Sequence, residues 1–351
     1  MNHNDQSYFT EQLLAWHQLE NNRQLPWKSE TDPYKIWLSE IILQQTRAEQ
    51  GWPYYERFIA QYPKIEDLAN APEAEVFRLW QGLGYYARCR NLQATANIVT
   101  QTYNGQFPNN YSEILALKGV GPYTAAAISS FAFNLPYAVV DGNVYRVLSR
   151  YFDIETPIDS TEGKKTFGAL AQTLLETNNP AAYNQAIMDF GAVICKPQQP
   201  LCDVCYLNQR CRALKNNTVG LLPVKSKKLT IRKRSFHYFV FEYEDQVWVS
   251  KRTDKDVWQD LHEFYLIESE TSNIDIQAII PQLSIQKIEN ITKEFKQKLT
   301  HQSLVSKFYI VQLKEKFEFS DKQGFWIHKN SLHEIAFPKT IVSFLKENPY
   351  F

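Results

Sequence analysis

Apolar positions in the first two-thirds of the chain recur with a helical period. Over residues 8–20, Phe9, Leu13 and Trp16 fall on one face, three to four residues apart. Pro33 opens a second run that reads as helix through residue 49, with proline in the first turn, where its missing amide is tolerated. Further helices are predicted over 74–81, 91–103, 111–117, 123–133, 143–152, 163–176 and 181–193, separated by breaks carrying Gly, Pro and Asn. After Arg234 the pattern changes. Segments 236–243, 247–252, 264–268, 285–291 and 303–313 are rich in aromatic and β-branched residues and read as strands. A hairpin turn is expected at Glu244-Asp245-Gln246, and a closing helix over 339–347. The prediction is a multidomain chain: an all-α domain over 1–215, a basic linker over 216–234 and an α+β domain over 235–351.

Composition supports folded domains. The chain has 351 residues, 44% of them apolar, with 21 Phe, 20 Tyr and 8 Trp, so wholesale disorder is excluded. At ~150 residues per domain, two domains are expected. No stretch of ~18 apolar residues exists. The polar start, Met1 to Glu11, lacks the apolar core of a signal peptide. The expectation is a cytoplasmic protein, nucleoid-associated in a bacterium, with no membrane partner and a monomeric state.

Net charge is zero, from 38 basic and 38 acidic residues, which taken globally argues against a nucleic-acid partner. Locating the charges changes that. Residues 1–195 carry a net −6, residues 196–234 a net +9 and residues 235–351 a net −3. The basic run closes with Lys225, Lys227, Lys228, Arg232, Lys233 and Arg234. It reads either as a solvated linker or as an arm that neutralises phosphates.

Three features carry chemistry. In the 33–49 run, Ile36, Trp37, Leu38, Ile41, Ile42 and Leu43 point nearly all round, which marks a buried helix. Glu40 shares a narrow polar stripe with Gln44 and Arg47. It must therefore be paired with one of them or held neutral as a proton-donating acid. Leu117-Lys118-Gly119-Val120-Gly121-Pro122-Tyr123-Thr124-Ala125 joins two helices through glycines and aims the second helix's N-terminus at an anion, which suits a DNA phosphate. Asp141, in Val139-Val140-Asp141-Gly142-Asn143, caps the next helix, and the helix amides are expected to keep it ionised. Separately, Cys195, Cys202, Cys205 and Cys211 crowd into seventeen residues and read as a sulfur site for zinc or an iron–sulfur cluster. Cys89 stands apart as a small core residue.

Together these strings resemble the helix-hairpin-helix DNA glycosylases, and most closely those of the MutY type. The match rests also on Leu25-Pro26-Trp27, Trp37-Leu38-Ser39-Glu40, Leu43-Gln44-Gln45-Thr46, Gly82-Leu83-Gly84-Tyr85-Tyr86 and Asn184-Gln185-Ala186. The resemblance implies a helical glycosylase domain with a [4Fe–4S] loop on the four cysteines, followed by a Nudix-like domain. It implies double-stranded DNA with adenine opposite 8-oxoguanine or guanine as substrate. Glu40 would protonate the flipped base and Asp141 would stabilise the sugar cation, supported by Tyr123 and Asn143. Arg23, Trp27 and Gln185 match the adenine pocket. Gln45, Leu83 and Tyr85 match residues that wedge into the duplex, with Gly119, Gly121, Lys225, Lys227 and Lys228 holding backbone. Thr300 and His301 match the lesion-contact loop. Tyr123 stands where the endonuclease III type has a Schiff-base lysine, so base release without strand cleavage is expected. Between Glu268 and Asn290 no glutamate-rich metal box is present, so the C-terminal domain is expected to bind rather than hydrolyse. An endonuclease III-like enzyme for oxidised pyrimidines and a non-catalytic damage binder are the competing readings.

Overall fold

The computed structural model describes residues 3–226, 230–271, 274–320 and 322–348. These divide into two compact units, residues 3–69 with 94–226, and residues 70–93 with 230–348. The helices in chain order are α1 His3–Leu19, α2 Pro33–Leu43, α3 Ala48–Gln61, α4 Ile65–Asn70, α5 Glu73–Trp80, α6 Ala87–Thr102, α7 Tyr111–Ala116, α8 Pro122–Phe133, α9 Gly142–Phe152, α10 Thr161–Leu174, α11 Pro180–Val193, α12 Arg212–Lys215, α13 Ile276–Ile279 and α14 Lys339–Glu347. None of them is long and apolar enough to cross a membrane.

In the first unit α1, α9, α10 and α11 enclose a core around Phe9, Leu13, Trp16, Val147, Tyr151, Phe167, Ile187 and Phe190. Trp16 meets Phe190 edge to face at 5.0 Å between ring centroids. Each such fully buried side chain contributes about 1.5–3 kcal/mol. α2 begins where Asp32 Oδ1 accepts the Tyr34 amide at 2.9 Å and Pro33 supplies a pre-set first turn. Its apolar residues are buried all round, which carries Ser39 and Glu40 inside with them.

The single helix predicted over 33–49 is two helices. Gln45 takes a left-handed φ of 57°, which ends α2, and α3 starts at Ala48. A Cβ on Gly51 would lie 2.9 Å from Leu43 Cδ2, so α3 approaches α2 only because residue 51 has no side chain. Pro53 inside α3 hides that helix from a pattern reading. The short helix α4 is absent from the sequence prediction, and α6 starts four residues earlier than predicted.

The second unit is built on a seven-stranded mixed sheet. Its strands are β1 Arg232–Tyr243, β2 Gln246–Lys251, β3 His262–Glu263, β4 Tyr265–Glu268, β5 Ile285–Lys298, β6 Gln302–Leu313 and β7 Gly324–His328. The order is β3-β2-β1-β6-β5, with β4 on β1 and β7 on β2. β1 and β6 run parallel, from Arg232 opposite Gln302 to Glu242 opposite Gln312, and the other pairs are antiparallel. The β1–β2 turn is Glu244-Asp245, with Glu244 at φ 53°. One face packs Phe239, Phe241, Trp248, Tyr265, Tyr309 and Phe319 together. On α14, Phe344 stacks on Phe308 at 4.1 Å. β7 is likewise missing from the prediction, and β5 runs seven residues past its predicted end. β1 starts at Arg232, so the last three residues of the basic run are part of the sheet.

Candidate active site

A cavity of about 510 Å³ opens in the first unit, within the usual range for small-ligand sites. Arg23, Trp27, Glu40, Tyr123, Asp141, Asn143 and Gln185 all line it. They arrive from separate places: the irregular 21–32 segment, α2, the start of α8, the start of α9, and α11. Four residues that shape this site escape a sequence reading: His17 and Met188 on its lining, Arg146 behind Asn143, and Asp189 behind Arg23. Nothing local in sequence distinguishes them from core or surface residues.

Glu40 is buried, and the Tyr123 hydroxyl and the Asp141 carboxylate both act on its carboxyl. Burial pushes its carboxyl up to about 7; Asp141 adds to the rise and the Tyr123 hydrogen bond opposes it. Arg47 is exposed, and Gln44 Nε2 donates to Thr124 Oγ1 at 3.4 Å. Burial, then Glu40 and Asp141, hold the Tyr123 phenol far above its ordinary range, so it remains a donor. Its hydroxyl also lies 3.9 Å from Met188 Sδ.

Asp141 caps α9. Oδ1 accepts the amides of Asn143 and Val144, each at 2.8 Å, and Oδ2 accepts Asn143 Nδ2 at 2.7 Å. The amides act in the expected direction, favouring the ionised form, against burial. Burial raises the Asp141 carboxyl, and the amides, Asn143 and Arg146 offset that only in part. Asn143 is in turn held by Arg146, whose Nη2 donates to Asn143 Oδ1 and Gly191 O, each at 2.7 Å. Arg146 Nε reaches Cys195 O at 2.6 Å, so hydrogen bonds run unbroken from the cysteine loop to Asp141. α9 and α11 approach closely here: a Cβ on Gly191 would lie 2.7 Å from Asn143 Cβ. The chain leading into Asp141 is pinned by fully buried Asn184, which accepts from Val139 N at 3.0 Å and donates to Tyr137 O at 2.9 Å.

The α7–α8 hairpin exposes Lys118 and Gly119. Gly119 has φ 77° and needs glycine; Gly121, at φ −99°, caps α8 in an extended conformation and does not. No atom lies within 4 Å of where a Gly121 Cβ would sit, so its missing side chain leaves room for an approaching group. Thr95 Oγ1 fixes the turn through Lys118 O at 2.7 Å.

Of the predicted wedge residues, Gln45 is exposed on its left-handed turn, and Tyr85, at φ 50°, is 43% exposed. Leu83 is not available as a wedge in this conformation: it is 5% exposed and belongs to the core. In the second unit the Tyr85 hydroxyl hydrogen-bonds the Thr300 hydroxyl. Thr300 and His301 are exposed in the β5–β6 turn, and His301 O accepts from Arg232 N at 2.9 Å. Lys225 is exposed; Lys227 and Lys228 lie outside the described residues. Several charges of the basic run are already engaged. Arg210 and Arg212 pair with Asp5 at 3.5 and 3.3 Å, and Arg234 pairs with Asp256 and Glu268 at 2.7 and 2.6 Å.

Cys195, Cys202, Cys205 and Cys211 line one small apolar hollow with Ile194, Leu201 and Leu214. Burial pushes Cys205 up to about 12 and raises Cys202 and Cys211, and the thiols reinforce one another. Buried Arg150 ties the loop down: Nη1 lies 3.5 Å from Cys195 Sγ and donates to Lys196 O at 2.7 Å, and Nε donates to Leu222 O at 3.1 Å. Among the described residues no three His, Cys, Asp or Glu side chains stand close enough to hold a single metal ion. In the second unit, Glu263 pairs with Arg252, and Asp256 and Glu268 with Arg234, so these carboxylates serve ion pairs.

Fold and site define a class: a helix-hairpin-helix glycosylase carrying a Nudix-like domain. Residues 38–172 match the HhH-GPD superfamily of base excision DNA repair proteins, and residues 237–347 match the NUDIX domain. The adenine DNA glycosylase of Buchnera aphidicola subsp. Schizaphis graminum is 32% identical over 340 residues, covering 96% of this chain and 98% of that protein. That of Buchnera aphidicola subsp. Baizongia pistaciae is 35% identical over 341 residues, covering 96% and 95%. A solved thermostable thymine-DNA glycosylase superposes with a TM-score of 0.57 at 32% identity, covering 61% of this chain and 98% of that one. The chain belongs to the adenine DNA glycosylases, enzymes of base excision repair that hydrolyse an N-glycosidic bond.

Proposed function

We propose that the substrate is adenine opposite 8-oxoguanine or guanine in duplex DNA, released without strand cleavage. The observation that carries this reading is the shared cavity: an acid poised to donate, a second carboxylate beside it, and a base-sized chamber around both. Once adenine leaves the stack, Glu40 protonates it, turning a poor leaving group into a neutral one. As the C–N bond lengthens, positive charge grows on the sugar. Asp141, fixed by its cap and by Asn143, stabilises that charge, and water completes the hydrolysis. Tyr123 orders Glu40 through its hydroxyl and has no amine with which to form a Schiff base. Arg23, Trp27 and Gln185 form the walls against which the base rests.

Gly119, Gly121 and the α8 N-terminus hold a phosphate, Gln45 and Tyr85 enter the duplex, and Thr300 and His301 meet the opposite base. Lys225, with Lys227 and Lys228, adds backbone charge. The segment 216–231 acts as the basic connection between a glycosylase domain and a lesion-reading domain, with Arg232, Lys233 and Arg234 belonging to β1. Cys195, Cys202, Cys205 and Cys211 would hold a [4Fe–4S] cluster, which suits four thiols sharing one apolar hollow. Its ligands would include Cys195, whose carbonyl anchors Arg146.

The test offers duplexes with adenine opposite 8-oxoguanine, adenine opposite guanine, and thymine glycol. Adenine release leaving an intact abasic strand is the expected result. Thymine-glycol release with strand scission would sink the proposal.

A further inference from the structure

Asp189 lies on α11, one turn beyond Gln185, behind the cavity wall. Its side chain is 0% exposed, and a carboxylate there must be compensated. Its partners all come from the segment that supplies Arg23 and Trp27. Arg23 Nη1 meets Oδ1 at 2.7 Å, Asn21 Nδ2 donates to Oδ2 at 2.9 Å, and Lys28 Nζ stands 3.7 Å from Oδ2. Lys28 also donates to Arg23 O at 2.8 Å, closing residues 23–28 into a loop. Asn21 passes the contact on to His17 Nδ1 at 2.8 Å. Arg23, Trp27, Lys28 and His17 all line the cavity, yet residues 21–32 form no helix or strand. The polar bonds of Asp189 therefore hold this wall where backbone ladders cannot.

We infer that Asp189 is a positioning residue for base release: it fixes Arg23 and Lys28, two cationic donors, along the wall that receives the extruded base. The buried carboxylate does a second task. Two unneutralised cations beside a base that is gaining a proton would oppose that protonation. Asp189, 2.7 Å from Arg23 and 3.7 Å from Lys28, offsets that positive charge beside the chamber. This inference rests on the proposed adenine chemistry and deepens it.

Single-turnover release of adenine from a lesion duplex by the full-length protein tests it, because amplitude counts folded, competent enzyme and the rate constant reads the assembled pocket. Asp189→Asn should keep duplex affinity and most of the amplitude while slowing the rate constant about 10- to 100-fold. Asp189→Glu, which keeps the charge, should recover most of the rate. Arg23→Gln in an Asp189→Asn background should be no slower than the slower single variant, since both break the same ion pair. A rate constant equal to wild type in Asp189→Asn overturns the inference. So does a loss confined to amplitude, which marks a merely structural residue. Absence of adenine release by the wild-type protein instead defeats the proposed substrate.

Discussion

One pair of carboxylates in each unit shows opposite treatment. In the second, Arg234 is 7% exposed on its side chain and grips Asp256 and Glu268; the Arg234 hydrogen bonds hold Glu268 below its ordinary range, and at Asp256 burial is overcome by Arg234, the Val257 amide and Arg252 together. In the first, Glu40 and Asp141 sit beside each other without an ion pair among the described residues, and both carboxyls are raised. A guanidinium beside Glu40 would make the site more stable and useless as an acid. The difference teaches that the sheet unit uses its charges to hold its shape, while the helical unit leaves two acids under-compensated so that a proton can move.

Removing the acid should give the largest effect. Glu40→Gln is expected to slow adenine release by about 10²–10⁴-fold. The same variant should gain stability. The folded protein keeps the Glu40 proton up to about 7, whereas the unfolded chain releases it near 4.5, so the native state loses ground as pH rises between those values. Above pH 7 the full penalty is about 3 kcal/mol. Glu40→Gln should therefore melt higher than wild type at pH 8 and at the same temperature at pH 4; equal melting at both would contradict the assigned burial cost. The wild-type release rate should decline as pH rises through about 7.

Asp141→Asn is expected to slow release by about 10³-fold while lesion duplexes still bind, as gel shift would show. Retained single-turnover release would remove Asp141 from its role. Arg234→Met weakens the contrast by leaving Asp256 to Arg252, at 3.3 Å, and Glu268 to Arg232, at 3.8 Å. With Asp256 and Glu268 partly open to solvent, the cost at pH 7 is about 2 kcal/mol, between the exposed and buried limits. Because the pair holds Glu268 and Asp256 below their ordinary values, that contribution is present above about pH 4 and disappears as pH falls below it. Urea melts should show the destabilisation at neutral pH, and adenine release per folded molecule should not change. The smallest effect belongs to Lys225→Gln with Lys227→Gln and Lys228→Gln. Affinity should drop equally for matched and mismatched duplexes, and the salt slope should flatten by about 0.9 for each phosphate that is no longer neutralised. An unchanged slope would make the run a solvated connection.

The sequence made the reacting groups legible because each sits in an ordered local string: Glu40 in an apolar helix, Gly119 in a hairpin, Asp141 at a cap. The fold class and most helices were readable for the same reason. What escaped depends on contacts between distant segments. Asp189 reads as one more charge on a helix until Arg23 is brought against it. Leu83 looks equivalent to Tyr85 in its string, yet successive left-handed turns at Gly84 and Tyr85 send one inward and the other out. α3 was hidden by Pro53 and by a break at Gln45 that only φ reveals.

The close meeting of Gly191 with Asn143 has a consequence for inherited variation. The smallest possible enlargement, Gly191→Ala, would push against Asn143 and so tilt Asp141, at a site that touches neither base nor backbone. Its product should fold and bind lesion duplexes while releasing adenine slowly. Such a variant should compete with the wild-type enzyme for the same sites; mixing the two on one duplex and measuring a slowed release would expose it.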